Sequence, residues 1–97
     1  MKVNIAPASL VKVTAGRDRG KYFVVISGID SNYLYICDGR RRKVSSPKKK
    51  KIKHLENLNY SLNLIKEKLE LGNEISNSDI KKSIREGLIH LKILKEE

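Results

Sequence analysis

The hydrophobic pattern of the N-terminal half has the period of a sheet. Val11, Lys12 and Val13 alternate apolar and polar, as a half-buried strand does. Tyr22 to Ile26 is a β-branched and aromatic run that suits a buried strand. After a short lead-in over 1–9, with Pro7 ahead of the first strand, the pattern predicts strands over 10–14 and 21–29, the second bent at Gly28. Asp30-Ser31-Asn32 is a turn by composition. Tyr33 to Cys37 alternates again, with Leu34 and Ile36 on one face and Tyr33, Tyr35 and Cys37 on the other. Asp38-Gly39 favours a two-residue type I′ hairpin, which places a fourth strand over Arg40 to Val44. Ser45-Ser46-Pro47 ends it, and Lys48 to Lys53 is a short fifth strand with Ile52 as its inward anchor. Four or five short strands joined by tight turns favour a small barrel over an open sheet.

From His54 the period changes. Leu55, Leu58, Leu62, Ile65 and Leu69 are spaced 3, 4, 3, 4, one apolar stripe on a helix over 55–71. Gly72-Asn73 is a C-cap signal, and Ser76-Asn77-Ser78-Asp79 offers N-cap residues for a second helix. In that helix Ile80, Ile84, Leu88, Leu91 and Leu94 or Lys95 lie near one face, which Gly87 interrupts. The two stripes suit packing on each other or over the barrel's open end. A docking surface for a partner protein is the functional alternative. The expected organisation is a β-barrel over 1–54 and a helical C-terminal extension over 55–97.

Composition narrows the setting. Ninety-seven residues make one small domain with room for such an appendage. The single cysteine, Cys37, rules out an internal disulfide and fits a reducing compartment. No apolar run approaches the roughly 18 residues of a spanning helix, and MKVNIAPASL has no long apolar h-region, so a cytoplasmic protein is expected. Charge is segregated. Residues 1–53 hold 14 Lys+Arg against 3 Asp, a net of +11, while residues 54–97 hold 7 against 8, a net of −1. A domain charged in this way draws polyanions by steering and counterion release. A charge surplus kept for solubility does not explain the segregation.

Two segments concentrate the charge. Arg40 to Lys53 has nine Lys+Arg in 14 residues and no acid. Arginine offers a planar fork for bidentate phosphate contact, and lysine offers point charges along a backbone. Alternation along the expected fourth strand puts Arg40 and Arg42 on one face and Arg41 and Lys43 on the other. A merely solvated charge run is the plain alternative. An anionic membrane surface would call for lysines interleaved with exposed aromatics or set on an amphipathic helix. The second segment is Ala15 to Lys21, AGRDRGK, a loop between two strands punctuated by Gly16 and Gly20 and expected to show Arg17, Asp18 and Arg19 to solvent. Such a loop is a plausible phosphate grip. Tyr22, Tyr33 and Tyr35 could stack on unpaired bases, or pack at the sheet edge or against the helical layer, and Tyr33 is the one singled out for stacking.

Catalysis finds no support. His54 and His90 lie in different segments, no Cys/His cluster has zinc-ligand spacing, and Cys37 sits in a strand as a small hydrophobe. Asp18, Asp30 and Asp38 all fall in turns, where aspartate bonds its own backbone. No Walker-type loop is present. No enzyme activity, cofactor, metal or small-molecule substrate is expected.

With both segments in view, a resemblance emerges. AGRDRGKYFVV (Ala15–Val25) resembles the KOW motif of SH3-like barrels, with Gly16 and Gly20 on its glycines and Phe23 where many such motifs carry a third. IDSNYLYICDGRRRKV (Ile29–Val44) and PKKKKIKHL (Pro47–Leu55) extend the match. Residues 10–55, nearly half the chain, are similar to the small KOW family that includes the e-type large-subunit ribosomal protein numbered fourteen of archaea and eukaryotes and stand-alone bacterial relatives. The Lys-, Ile- and Asn-rich composition leans toward a bacterial relative with an AT-rich genome. The resemblance implies an SH3-like barrel that binds ribosomal RNA on the large subunit, as an integral or an accessory ribosomal protein. Gly16 and Gly20 would then shape the loop, and Arg17, Arg19 and Lys21 would contact RNA from it. Arg41, Arg42, Lys48, Lys49, Lys50 and Lys51 would follow the phosphate backbone. The alternative is a KOW interaction module that docks on transcription machinery or another protein.

Overall fold

The computed structural model describes residues 5–96. Five strands, β1 (Ser9–Val13), β2 (Tyr22–Gly28), β3 (Tyr33–Cys37), β4 (Lys48–Lys51) and β5 (Leu55–Ser61), are followed by two helices, α1 (Asn63–Leu71) and α2 (Asn77–His90). The strands form one sheet in the order β4-β3-β2-β1-β5, and every neighbouring pair is antiparallel.

Alternation sends the side chains to two cores. One face of the sheet contributes Val11, Val13, Phe23, Val25, Leu34 and Ile36, with Ile5 beside them and half-buried Ile52 and Leu55 packed against them. Among the described residues none from α1 or α2 takes part. The other face contributes Leu10, Val24 and Cys37, covered by Leu62, Ile65, Ile80 and Ile84 from the helical layer. Both faces of β2 are therefore buried, which is why Phe23-Val24-Val25 reads as a continuous apolar run and not as an alternation. Each such side chain contributes about 1.5–3 kcal/mol relative to exposure. The two edge strands, β4 and β5, are linked by a three-residue 3₁₀ turn, Ile52–His54.

Strands β1, β2 and β3 stand where the pattern placed them, to within a residue. The expected fourth strand does not form. Residues 38–47 are a loop in which the Asp38 carboxylate accepts the Arg40 and Arg42 amides at 3.0 and 2.9 Å. The Asp38 and Gly39 amides in turn donate to the Arg42 carbonyl at 2.9 and 3.1 Å. This self-bonded turn is docked on the start of α2, where Asn77 Oδ1 accepts the Val44 amide at 2.9 Å. Gly39 is buried there in the left-handed region, at φ +77°. With 40–44 held by α2, the vacant edge of β3 is taken by the lysine strand β4.

The expected helix over 55–71 is also corrected. Residues 55–61 are β5, paired with β1, and the helix begins only at Asn63. The helical layer thus starts eight residues later than the expected boundary at Leu55. Asn59 lies at φ +56°, within the stretch where the β1–β5 register shifts, a conformation asparagine tolerates. The second helix forms as expected. Ser76 and Asp79 make a reciprocal capping box at 3.0 Å in each direction. Gly87 has a packing reason, since a Cβ there would meet Leu62 at 2.9 Å. Among the described residues no helix is long and apolar enough to cross a membrane.

Candidate nucleic-acid interface

β4 sets four consecutive lysines on a sheet edge. Cross-strand partners share a face. Lys49 and Lys51 therefore project on the side of Tyr35 and Tyr33, and Lys48 and Lys50 on the side of Ile36 and Leu34. Lys48, Lys49 and Lys51 are exposed, and Lys50 is half-buried. Its ammonium donates to the Ala15 carbonyl at 2.9 Å, so this lysine tethers the β1–β2 loop to the edge strand. Gly16 makes room for it, since a Cβ there would lie 2.9 Å from Lys50 Nζ. Lys49 Nζ lies 4.5 Å from the Tyr33 ring centroid, so the half-buried tyrosine already has a cation over it. Tyr35, across from Lys49, is exposed.

The β1–β2 loop closes as a tight knot. The Gly20 amide donates to the Val13 carbonyl at 2.7 Å, and the Arg19 amide to the Gly16 carbonyl at 3.2 Å. Arg17, Arg19 and Lys21 are exposed, as expected. Asp18 is not. It is only 3% exposed, and its Oδ2 accepts from Arg42 Nε at 3.2 Å. Among the described residues its Oδ1 has no hydrogen-bond partner. Arg42, half-buried, therefore joins the 38–47 loop to the β1–β2 loop as well as standing among the candidate phosphate contacts. Lys50 to Ala15 and Arg42 to Asp18 tie the three basic segments to one another.

A contribution from the C-terminal half went unseen in the sequence. Lys81, Lys82 and Arg85 on α2 face Lys21, Arg40 and Arg41 across a cleft of about 790 Å³. The net charge of residues 54–97 hid them. The first-turn acid of α2, Asp79, is bonded to Lys68 Nζ at 2.8 Å, and Glu86 lines a different pocket beside Tyr60 and Asn63. The i, i+1, i+4 spacing of the three cations was the available signal.

The local field leaves its mark on titration. Desolvation, then the ammoniums of Lys53, Lys50 and Lys51, push the His54 imidazole below its ordinary 6.5. The Lys68 hydrogen bond, then the Ser76 amide, hold the Asp79 carboxyl down at about 2. Burial, with the Asp38 carboxylate adding to it, pushes the Cys37 thiol up to about 12, so it is no nucleophile. Among the described residues no three His, Cys, Asp or Glu side chains are grouped as a metal site would require. Compared with known proteins, the chain matches no family model, and no curated protein is significantly similar to it.

Proposed function

We propose that this chain is a non-enzymatic RNA-binding protein of the cytoplasm, a KOW-type SH3-like barrel that binds ribosomal RNA on the large ribosomal subunit. The observation that carries the reading is the pair of contacts that fix three basic segments relative to one another, Lys50 to Ala15 and Arg42 to Asp18. Cations held in place before binding lose little freedom on contact with a polyanion, and a fixed spacing selects RNA by shape. A barrel agrees with a second core built only from strands, Ile5 and one turn, and with edge strands joined by three residues. Arg17, Arg19, Lys21, Arg41, Lys48 and Lys51 are the exposed phosphate contacts, with Lys49 beside Tyr33.

The competing reading, docking on a protein through the helices, draws on Leu64 and Leu71 of α1, exposed at 40% and 65%. Sedimentation separates the two. The native protein comigrates with the large subunit, and a Lys48→Glu/Lys51→Glu variant stays at the top of the gradient. Comigration that survives about 0.5 M salt marks an integral subunit protein, and comigration lost there marks an accessory binder held by counterion release. A protein that remains at the top at both low and high salt overturns the ribosomal reading.

A further inference from the structure

The cleft between the basic loops and α2 is more than an extension of the charged surface. It carries six cations from three segments, Lys21, Arg40, Arg41, Lys81, Lys82 and Arg85. Among the described residues its only carboxylate is Asp38, which already accepts two backbone amides through one oxygen. Its lining also includes Tyr22, Ile84, Leu88 and Leu94, an apolar surface that a phosphate alone does not need. The volume, about 790 Å³, lies within the roughly 300–1,000 Å³ typical of small-ligand pockets. The site is built. Gly39 sits against the Asn77 backbone and the Lys81 stem, and Val44 is bonded to Asn77, so α2 fixes the two arginines opposite its own cations.

Cations around an apolar floor match one chemistry, an anion that carries a flat, weakly polar face. A paired RNA stem buries its base faces by stacking, whereas an unpaired nucleotide offers both a phosphate and a base face. We infer that this cleft receives one unpaired nucleotide of the bound RNA, with its phosphates among the α2 and loop cations and its base against Tyr22, Leu88 and Leu94. The inference rests on the RNA-binding reading above and assigns α2 a role in selecting the RNA.

The test uses the full chain and two fluorescein-labelled RNA hairpins, one fully paired and one with a single bulged nucleotide, titrated by anisotropy. The bulged hairpin binds about tenfold more tightly, the size of one well-stacked base. Lys82→Ala/Arg85→Ala removes most of that preference, and both residues are exposed, so the fold survives. Leu94→Ser weakens the preference at least about threefold without changing the salt slope, because no charge is lost. Lys48→Glu/Lys51→Glu weakens both hairpins together and keeps the preference. Equal affinity of the wild-type protein for both hairpins overturns the inference and leaves RNA binding intact, as does a preference unchanged in the α2 variant. Tighter binding of a free nucleoside monophosphate than of the bulged hairpin also overturns it, in favour of a free nucleotide as the ligand. Failure to bind either hairpin at low salt overturns the RNA-binding reading itself, and this inference with it.

Discussion

Gly39→Ala tests the joint between the arginine loop and α2. Gly39 sits at φ +77°, where an L side chain clashes with its own carbonyl, at a cost of about 1–2 kcal/mol. Its Cβ would also stand 2.5 Å from the Asn77 carbonyl oxygen and 3.2 Å from Ile80 Cβ, where ordinary contact begins at 3.4 Å. A backbone oxygen cannot swing aside as a side-chain tip does, so the loop or the helix end must move. Overpacking of this kind costs about 1–3 kcal/mol. The sum is about 2–5 kcal/mol, a large share of the roughly 5–15 kcal/mol that holds a domain of this size together. Gly20→Ala is the control. It has nearly the same backbone, φ +86°, but nothing within 4 Å of its Cβ, so it bears only the first cost. At about 4–8 °C per kcal/mol for a chain this small, Gly39→Ala should melt at least about 4 °C below Gly20→Ala. Circular dichroism melts and urea titrations of the two variants provide the comparison, and equal m values would confirm that both unfold in the same way. Equal stability of the two variants would refute the docking of the arginine loop on α2, and with it the preformed cleft.

Three further outcomes follow from the same contacts. Arg42→Ala leaves Asp18 buried without its cation and destabilises by about 2–4 kcal/mol, while Arg41→Ala, on an exposed side chain, stays within about 0.5 kcal/mol; equal urea midpoints would discard the ion pair. Asp79 is held below its ordinary 3.8, at about 2, so its contribution is complete above pH ~4 and is lost as pH falls toward 2; Asp79→Asn should therefore be less stable than wild type at pH 6 and converge with it near pH 2, and a gap that persists there would exclude the carboxylate as its source. Cys37 is raised to about 12 from 9.0, so it stays a thiol at pH 8 and reacts with a disulfide reagent only after unfolding; its stabilisation is present below pH ~9 and is lost as pH rises toward 12, a decline that Cys37→Ala should lack, and rapid labelling of the native protein would contradict its burial.

What could be read in advance was what neighbours in sequence decide. β3 alternates within five residues, and the caps of α2 lie within four, so both were legible. β5 was misread because Leu55, Leu58 and Leu62 fit a helical stripe, although Leu58-Asn59-Tyr60-Ser61-Leu62 also alternates with period two. What settles it is the vacant edge of β1, more than forty residues away, and the helix-averse asparagines at 57 and 59 were the local hint. The same limit applies to the 38–47 loop. Asp-Gly promised a hairpin, but Asn77 and the rest of α2 captured the strand that should have followed. Within the candidate site, the lysine block was plain from composition, yet nothing local marked Asp18 for burial, because its partner Arg42 lies 24 residues on. The α2 cations were masked by acids that the fold turns toward other partners.

Among the described residues, β4 pairs with β3 alone, so beyond the turn that joins it to β5 its outer edge makes no ladder hydrogen bonds. Open edges invite a second copy to add its own strand, the usual first step toward aggregation. Here any such addition would set four ammoniums against those of the incoming copy, and like charges brought directly opposite each other repel. The lysine row therefore opposes that addition. That protection lasts only while the charge is bare: acetylation of the row, or its replacement by glutamines, would turn a self-repelling edge into a polar strand with an unsatisfied backbone. The form of this protein stripped of its lysine charge should be the one that clumps.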